Sequence, residues 1–341
     1  MRRITLILSD LYLPAEVGQG GAARVAGLPP AVDLPHLDWL LRFARKVERI
    51  QDWRSWLSSD LGVFDLERMT VAQCCAQRSM TPQLASHAWL ATPVHLEARI
   101  DHVRLANRGL IRIPAAERES WRQEFALAFG PTYALHDAGE RGFFLSGASQ
   151  AKVASEDPAR LLDADIGRAL PTGPAAGELR RLGTEIEMWL HGAATNAARE
   201  QRRERRVTAL WLWGGGVGEA APVPAVSAGS GETSRFFGGD PFLNALGNGA
   251  LNPPPASFHG PDSNARRVVA EFAPMSGSPE ESLPALDTNW FARIRAELRS
   301  GRLSAVDLIA NDRVFHIAAR AGWRIWRRRS PWLEQLANLP Q

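Results

Sequence analysis

Apolar and polar residues follow two different rhythms near the start of the chain. Ile4–Leu8 is an uninterrupted apolar run with a β-branched start, which predicts a buried strand of a parallel sheet. The stretch LPHLDWLLRFARKVERI then places apolar residues at helical spacing, namely Leu37, Leu40, Leu41, Ala44 and Val47. This spacing predicts an amphipathic helix. A strand, a loop and a helix in this order are typical of an α/β sheet.

The pattern changes from about Val94. VHLEARIDHVRL alternates apolar and polar residues and predicts a half-exposed antiparallel strand. PAAERESWRQEFALAFG predicts a helix that ends at Gly130, and TYALHDAGERGFFLSG predicts a hairpin around Asp137–Gly142. Together these pieces predict a small α+β unit inserted between parts of the main sheet.

The second half of the chain mixes strongly patterned and weakly patterned segments. The helical stretch AAGELRRLGTEIEMWLHG leads to VTALWLWGGG, an apolar run at 207–216 that predicts a buried strand ending in a tight turn. From Val217 to about Leu286 the composition shifts to Gly, Pro, Ser and Ala, which predicts loops or a mobile segment. DTNWFARIRAELRSG predicts a helix that ends at Gly301, and the tail predicts a strand pair and a short terminal helix.

Composition narrows the class of protein. A length of 341 residues suggests two domains or one large domain with an insertion. With 40 basic and 37 acidic residues the net charge is only +3, so nucleic-acid or membrane binding is weakly supported despite the arginines at 202–206 and 327–329.

Cys74 and Cys75 are adjacent and cannot form a disulfide framework, so we expect free thiols. Neither a signal peptide nor a transmembrane run is evident, and we expect a cytoplasmic protein without membrane contact.

Two features of the sequence suggest binding chemistry, and each has a simpler interpretation. Asp10 follows the first predicted strand, where many hydrolases and transferases hold a metal ion, but an Asp there also caps turns. The glycines Gly214, Gly215 and Gly216 offer backbone N–H groups to an anion at the end of a strand, where open α/β sheets bind ligands. A plain tight turn explains the same glycines, since neither a P-loop nor a full GxGxxG motif is present.

Three further side chains carry similar alternatives. Asn196 and Arg199 provide an amide and a bidentate donor suited to a carboxylate or phosphate, although Arg199 also fits a solvated surface position. His259 lies in the polar stretch SFHGPDSN, where a metal or catalytic role and simple solvent exposure are both open.

The combined motifs resemble a known family. LPTGPAAGELRRLGTEIEMWLHGAATNAARE followed by VTALWLWGGG is similar to the bacterial regulator-of-pathogenicity-factors type E family, whose members are described as phosphoglycerate mutase-like. ATPVHLEARIDHVRL and GWRIWRRRSPWLEQL extend the resemblance over most of the chain. That family resembles the archaeal-type cofactor-independent phosphoglycerate mutases of the alkaline phosphatase superfamily. Their metal-binding Asp, PxLDxLA helix start, Asn–Arg pair and WGxG strand end match Asp10, LPHLDWLL at 34–41, Asn196 with Arg199, and Trp213–Gly216.

The resemblance implies an α/β fold with a parallel-rich, alkaline-phosphatase-like sheet, helices on both faces and an inserted α+β subdomain. The implied divisions are 1–91 for the first part of the core, 92–200 for the insertion and 201–341 for the second part. It further implies that the WLWGGG strand is a central one whose glycines border the substrate cleft. Active relatives use two metals and a Ser or Thr nucleophile. Here no DHG or GDH motif follows, and Ser79 and Thr81 are nucleophile candidates by location alone.

We therefore predict a catalytically degenerate, regulatory phosphoglycerate mutase-like protein. Asn196 and Arg199 would bind a small phosphorylated or carboxylated acid near Gly214–Gly216, and a regulatory protein partner is expected. The alternative is a metal-dependent phosphomutase or phosphatase in which Asp10 and His259 hold Mn²⁺ or Zn²⁺. A third hypothesis is a nucleic-acid-binding regulator that uses the Arg/Trp tail.

Overall fold

The chain folds into two compact units in the computed structural model, which describes residues 2–13, 32–77, 80–148, 153–174, 176–216, 234–247, 253–258, 267–319 and 330–337. Unit 1 draws on Met1–Leu57, Val226–Gly238 and Leu251–Gln341, and unit 2 on Ser58–Ala225 and Gly239–Ala250. The domain divisions expected from the sequence differ from this one, since unit 2 begins well before residue 92 and extends beyond residue 200.

The strands and helices are numbered in chain order. The strands are β1 (Arg3–Leu8), β2 (Lys46–Arg49), β3 (Trp89–Ala98), β4 (Val103–Leu110), β5 (Ala134–Asp137), β6 (Phe143–Ser146), β7 (Ala209–Trp213), β8 (Ser234–Phe237), β9 (Arg267–Phe272), β10 (Ala305–Ala310) and β11 (Arg313–Ala318). The helices are α1 (Pro35–Arg42), α2 (Trp53–Leu61), α3 (Val71–Ala76), α4 (Pro82–Ala85), α5 (Ala115–Phe129), α6 (Ala176–Gly192), α7 (Ala194–Gln201), α8 (Pro241–Leu246), α9 (Pro279–Leu286), α10 (Ala292–Ser300) and α11 (Trp332–Ala337).

Unit 1 is built on a mixed sheet in which parallel pairing dominates. Among its described residues, six strands lie in the order β2-β11-β10-β1-β9-β8. β1 pairs in parallel with both β9 and β10, and β8 pairs in parallel with β9. β11 and β2 extend the sheet in antiparallel fashion. The predicted α/β class with a parallel-rich sheet is therefore confirmed, and β1 lies in the parallel part as its continuous apolar run indicated.

The first predicted helix is shorter than its apolar spacing suggested. α1 ends at Arg42, and Val47 lies in β2 instead. The reason is tertiary pairing, because the backbone N–H of Arg45 donates to the carbonyl of His316 at 2.7 Å and β2 continues as the partner of β11. Sheet hydrogen bonds to a distant strand thus overrode the local helical period.

Unit 2 contains an antiparallel sheet. In its described part the strand order is β4-β3-β6-β5, and β7 pairs with β3. The predicted buried strand at 209–213 exists, and all five of its residues are buried. The expectation that it is a central strand of the α/β sheet is wrong, because β7 runs antiparallel to β3 from Ala209↔Val94 to Trp213↔Leu90. The rule that ligands lie at carboxyl ends of parallel strands therefore does not apply to this strand.

Helices α5 and α6 cover the core of unit 2, as their apolar stripes predicted. Trp189 of α6 meets Trp121, Phe125 and Phe129 of α5 edge-on, at ring-centroid distances of 5.3–5.8 Å. Such edge-to-face pairs fit the opposite charges of ring face and ring edge. The predicted hairpin before Gly147 is confirmed as β5 and β6.

The Gly- and Pro-rich region 217–286 is more ordered than its composition suggested. Its described residues include β8, α8, β9 and α9, so the loop prediction is wrong for those parts, while 217–233, 248–252 and 259–266 lie outside the described residues. β9 forms because its residues pair with β1 on one side and β8 on the other. Among the described residues, none of the helices combines the length and apolar character that a bilayer-spanning segment requires.

Candidate functional site

The carboxyl edge of the parallel strands in unit 1 is the part of the fold where α/β proteins bind ligands. Asp10 lies two residues beyond the end of β1, and Glu271 is the penultimate residue of β9. Each residue is only 2% exposed. Two carboxylates buried at one strand edge are unusual, because burying a charge is costly unless it is hydrogen-bonded or neutralised.

Serine hydroxyls contact both carboxylates. The hydroxyl of Ser276 donates to Asp10 Oδ2 at 2.7 Å, and the hydroxyl of Ser9 donates to Glu271 Oε1. The backbone N–H of Ser9 also donates to the carbonyl of Phe272 at 2.9 Å, which joins the ends of β1 and β9. The edge is thus held together by hydrogen bonds within unit 1.

Sequence reasoning missed Glu271 and the two serines. Glu271 was detectable, since it is the one acidic residue in the apolar strand RVVAEF. A charged residue in such a run lies either at the edge of the sheet or at a buried functional site. Ser9 and Ser276 carried no pattern, because the contacts of Ser9 with Glu271 and of Ser276 with Asp10 depend on how β1 and β9 pair.

The donor set at this edge suits a hard divalent cation only in part. Carboxylate and hydroxyl oxygens match Mg²⁺ or Mn²⁺ better than Zn²⁺, which prefers nitrogen and sulfur ligands. Within the described ranges, no group of three His, Cys, Asp or Glu side chains is arranged to hold a metal ion. His259, the other predicted ligand, and Ser79 lie outside the described residues. The residues described here therefore do not complete a metal site.

Asn196 connects α7 to the start of β7. Its Nδ2 donates to the carbonyls of Leu190 at 2.8 Å and Val207 at 2.7 Å, and its Oδ1 accepts the backbone N–H of Val207 at 3.0 Å. The residue is 1% exposed. The side chain thus acts as a substitute strand partner for Val207, a structural role that the local sequence did not reveal.

Arg199 is buried rather than solvated. Its Nη1 lies 2.7 Å from Glu117 Oε1, with side-chain exposures of 6% and 9% for the two residues. Its Nε donates to the carbonyl of Arg205 at 2.8 Å. Neither the surface interpretation nor a preformed anion site describes this arrangement, and ligand binding by Asn196 and Arg199 stays a prediction.

The three glycines after β7 form a tight, packed turn. Gly214 has a φ of +65°, and its backbone N–H donates to the hydroxyl of Ser155 at 3.1 Å. A Cβ at Gly215 would lie 2.4 Å from the ring of Trp89, so a side chain is excluded there. Gly216 also has a positive φ, of 104°. The glycines are therefore required by backbone geometry, and their contact with an anion stays a prediction.

A second polar cluster in unit 1 surrounds His316 on β11. Its Nδ1 lies 2.7 Å from Oδ1 of the buried Asp307, and its Nε2 lies 3.6 Å from Glu48 Oε2. Arg3 Nε donates to the other oxygen of Asp307 at 2.5 Å. The bond to Asp307 raises the pKa of His316, against the opposing effect of burial. Burial raises the pKa of Asp307, but the hydrogen bonds from His316 and Arg3 bring the net pKa below its usual value.

Two of the remaining candidate groups, the cysteines and the arginine run before β7, have simple structural explanations. Cys74 and Cys75 are both buried and take part in no disulfide among the described residues. Burial raises the pKa of Cys74 to about 12, so this thiol stays neutral and unreactive. In the arginine run before β7, Arg202 pairs with Glu204 and Arg206 pairs with Glu200. The arginines at 327–329 lie outside the described residues.

No family model matches the chain, and no curated protein is a significant match. Among solved structures, the chain is similar to a cofactor-independent phosphoglycerate mutase from Thermoplasma acidophilum DSM 1728, at 16% identity and a TM-score of 0.39, covering 93% of this chain and 89% of that one. It is also similar to the PH0037 protein from Pyrococcus horikoshii, at 11% identity and a TM-score of 0.45, covering 94% and 88%. The first belongs to the class that the sequence resemblance named. At these values neither likeness transfers an activity or a ligand.

Proposed function

We propose that this chain is a catalytically degenerate phosphoglycerate mutase-like protein with a regulatory role, which binds a small phosphorylated or carboxylated acid weakly. The observation that carries the proposal is the state of Arg199, the residue that the resemblance assigns to the anion. Its guanidinium is paired with Glu117 inside unit 2. An incoming anion would have to replace a carboxylate that is already in place, which favours weak binding over efficient turnover.

The carboxyl edge of unit 1 supports the same proposal. Ser276 donates to one oxygen of Asp10, the residue that the resemblance assigns to a metal ion, and Ser9 donates to one oxygen of Glu271. This hydrogen bonding favours a fold that keeps the architecture of a mutase while its polar groups stabilise the protein.

Anion binding can be tested by releasing Arg199 from its partner. In Glu117→Gln the guanidinium loses the nearer and more buried of its two carboxylate partners, while Glu204 stays 3.6 Å away. The affinity for 3-phosphoglycerate should rise by about tenfold, since a charged hydrogen bond contributes roughly 1.5 kcal/mol. Isothermal titration of the wild type, Glu117→Gln and Arg199→Met would measure it. Arg180→Met, which removes an exposed charge from α6, is the control.

Two outcomes count against the proposal. One is that Glu117→Gln and the wild type bind 3-phosphoglycerate with equal affinity while circular dichroism shows that both proteins are folded. Arg199 would then not belong to an anion site. Binding that persists in Arg199→Met would place the ligand elsewhere.

A metal-dependent phosphomutase or phosphatase is the second candidate, favoured by the burial of Asp10 and Glu271 at one strand edge. We expect no Mn²⁺-dependent hydrolysis of p-nitrophenyl phosphate and no stoichiometric metal by elemental analysis. Metal-dependent turnover that disappears in Asp10→Asn, and survives in the exposed-site control Asp101→Asn, would establish the enzyme instead. Nucleic-acid binding ranks third, and a steep salt dependence of DNA or RNA binding would support it.

A further inference from the structure

The last described helix, α11, is hydrogen-bonded at both ends to other parts of unit 1. At its start, the indole N–H of Trp332 donates to the carbonyl of Val32 at 3.0 Å. At its end, Arg313 donates from Nη1 to the carbonyl of Leu336 and from Nη2 to that of Ala337 at 2.9 Å. The carbonyls at the end of a helix lack partners within the helix, so these bonds satisfy them. α11 is thus fixed by polar contacts as well as by the burial of Trp332 and Leu336.

Asn311 connects the end of α11 to the segment that follows β1. Its Nδ2 donates to the carbonyl of Leu336 at 3.0 Å, and its Oδ1 accepts the backbone N–H of Leu13 at 3.0 Å. Its own backbone N–H donates to the carbonyl of Leu11 at 3.1 Å. One side chain and its peptide group therefore contact two elements that are far apart in sequence.

The backbone of Asn311 explains why this residue type occupies the position. Its φ of 50° lies in the left-handed region, which Asn tolerates better than most residues with a side chain. Glycine would adopt the same backbone but would lose both side-chain hydrogen bonds. The position thus combines an uncommon backbone with contacts that only an amide side chain makes.

Asp10 directly precedes the segment Leu11–Leu13 that Asn311 contacts. Ser9 on one side of it is bonded to the carbonyl of Phe272, and Leu11 on the other side is bonded to Asn311. The path from α11 to the carboxylate is accordingly short: the end of the helix, Asn311, Leu11 and Asp10.

From these contacts we infer that α11 is a C-terminal latch: while it is docked, Asn311 keeps the segment Leu11–Leu13, and with it Asp10, in place. Undocking of α11 removes the partner of Asn311 Nδ2, which frees the amide to rotate away from Leu13. The segment that follows Asp10 then loses this contact, while the hydrogen bonds of Ser9 and Ser276 at the carboxyl edge remain.

Hydrogen exchange of backbone amides in the full-length protein tests this inference. Trp332→Phe removes the indole hydrogen bond to Val32 at the start of α11. This bond involves neither Asn311 nor Leu13, so the substitution acts on the docking of α11. Arg313→Met removes the bonds at its end. In both variants we expect the amide of Leu13 to exchange at least about fivefold faster, together with the amides of α11, while the amide of Ile7 in β1 keeps its protection.

A matched variant separates the latch from general loosening of unit 1. Trp290→Phe also removes an indole bond to a backbone carbonyl, that of Pro255 at 2.9 Å, and should leave Leu13 unchanged. Faster exchange in α11 with unchanged exchange at Leu13, in both latch variants, would overturn the inference. So would equal acceleration of Leu13 in Trp290→Phe and Trp332→Phe.

Discussion

The two units bury polar side chains in different ways. In unit 1, Asp10 and Glu271 lie at the ends of parallel strands, and serine hydroxyls contact their carboxylates. In unit 2, Asn196 and Arg199 lie on a short helix, where backbone carbonyls and a buried glutamate occupy their hydrogen-bonding atoms. The comparison teaches that a residue's type and motif do not reveal its role, because the same donors serve a ligand or the fold depending on what the tertiary structure places beside them.

The largest effect is expected from Arg199→Met in unit 2. The substitution leaves Glu117 buried without its main partner, and breaking a buried ion pair from one side costs about 3 kcal/mol or more of unfolding free energy. Urea denaturation measures the loss. Arg180→Met, at an exposed position of α6, should change stability by less than about 0.5 kcal/mol. Similar small effects for both variants would show that Arg199 is not structural and would erase the contrast between the units.

A smaller loss is expected from Gly215→Ala after β7. The added Cβ would lie 2.4 Å from the Trp89 ring, so the turn or the ring must move, at a cost of roughly 1–3 kcal/mol. Gly183→Ala is the counterpart, since nothing lies within 4 Å of a Cβ in the middle of α6. That change should stabilise the helix by about 0.5–1 kcal/mol. If Gly215→Ala has the same melting temperature as the wild type, the turn has room for a side chain, and hence for a bound group.

The smallest effects concern one histidine in each unit and have opposite signs. Asp307 raises the pKa of His316 above its usual 6.5, so this residue stabilises unit 1 fully below pH 6.5 and less as the pH rises through its folded pKa. In unit 2, burial and then the charge of Arg122 lower the pKa of His136 below 6.5, so its contribution is present above pH 6.5 and is lost as the pH falls.

Substituting the two histidines should change the pH dependence of the unfolding free energy on opposite sides of pH 6.5. His316→Asn should remove part of the decline above pH 6.5, and His136→Gln part of the decline below it, each by roughly 0.5–1 kcal/mol. Unfolding free energies at pH 5, 6.5 and 8 provide the measurement. A change of the same sign in both variants would contradict the assigned electrostatics.

Local pattern was sufficient for several elements of the fold. Ile4–Leu8 became β1 because a continuous apolar run can be buried on both faces of a parallel sheet. The stripe of α6 and the terminal Gly301, with its φ of 76°, were likewise readable from spacing and residue type. Local pattern failed at Val47, where pairing between β2 and β11 prevailed over a helical period.

The candidate site was less predictable than the fold. Asp10 was found because the residue that follows a buried strand is a local feature. Ser9 is the sequence neighbour of Asp10, but Glu271 and Ser276 reach the same edge only through the pairing of β1 with β9, which spans more than 250 residues of sequence. Asn196 and Arg199 were predicted to bind an anion, which stays a prediction, and their contacts with Val207 and Glu117 depend on the packing of unit 2.

The sequence by itself determined the α/β class, the burial of β1 and β7, the amphipathic helices and the glycine turn after Trp213, because each follows from the spacing of apolar residues or from a backbone conformation that few residues adopt. Only the tertiary structure decided the direction of β7, the extent of each unit and the partners of Asp10, Asn196, Arg199 and Asn311. Strand pairing and side-chain contact join residues that are distant in the chain, and no local pattern encodes which distant group will neutralise a buried charge.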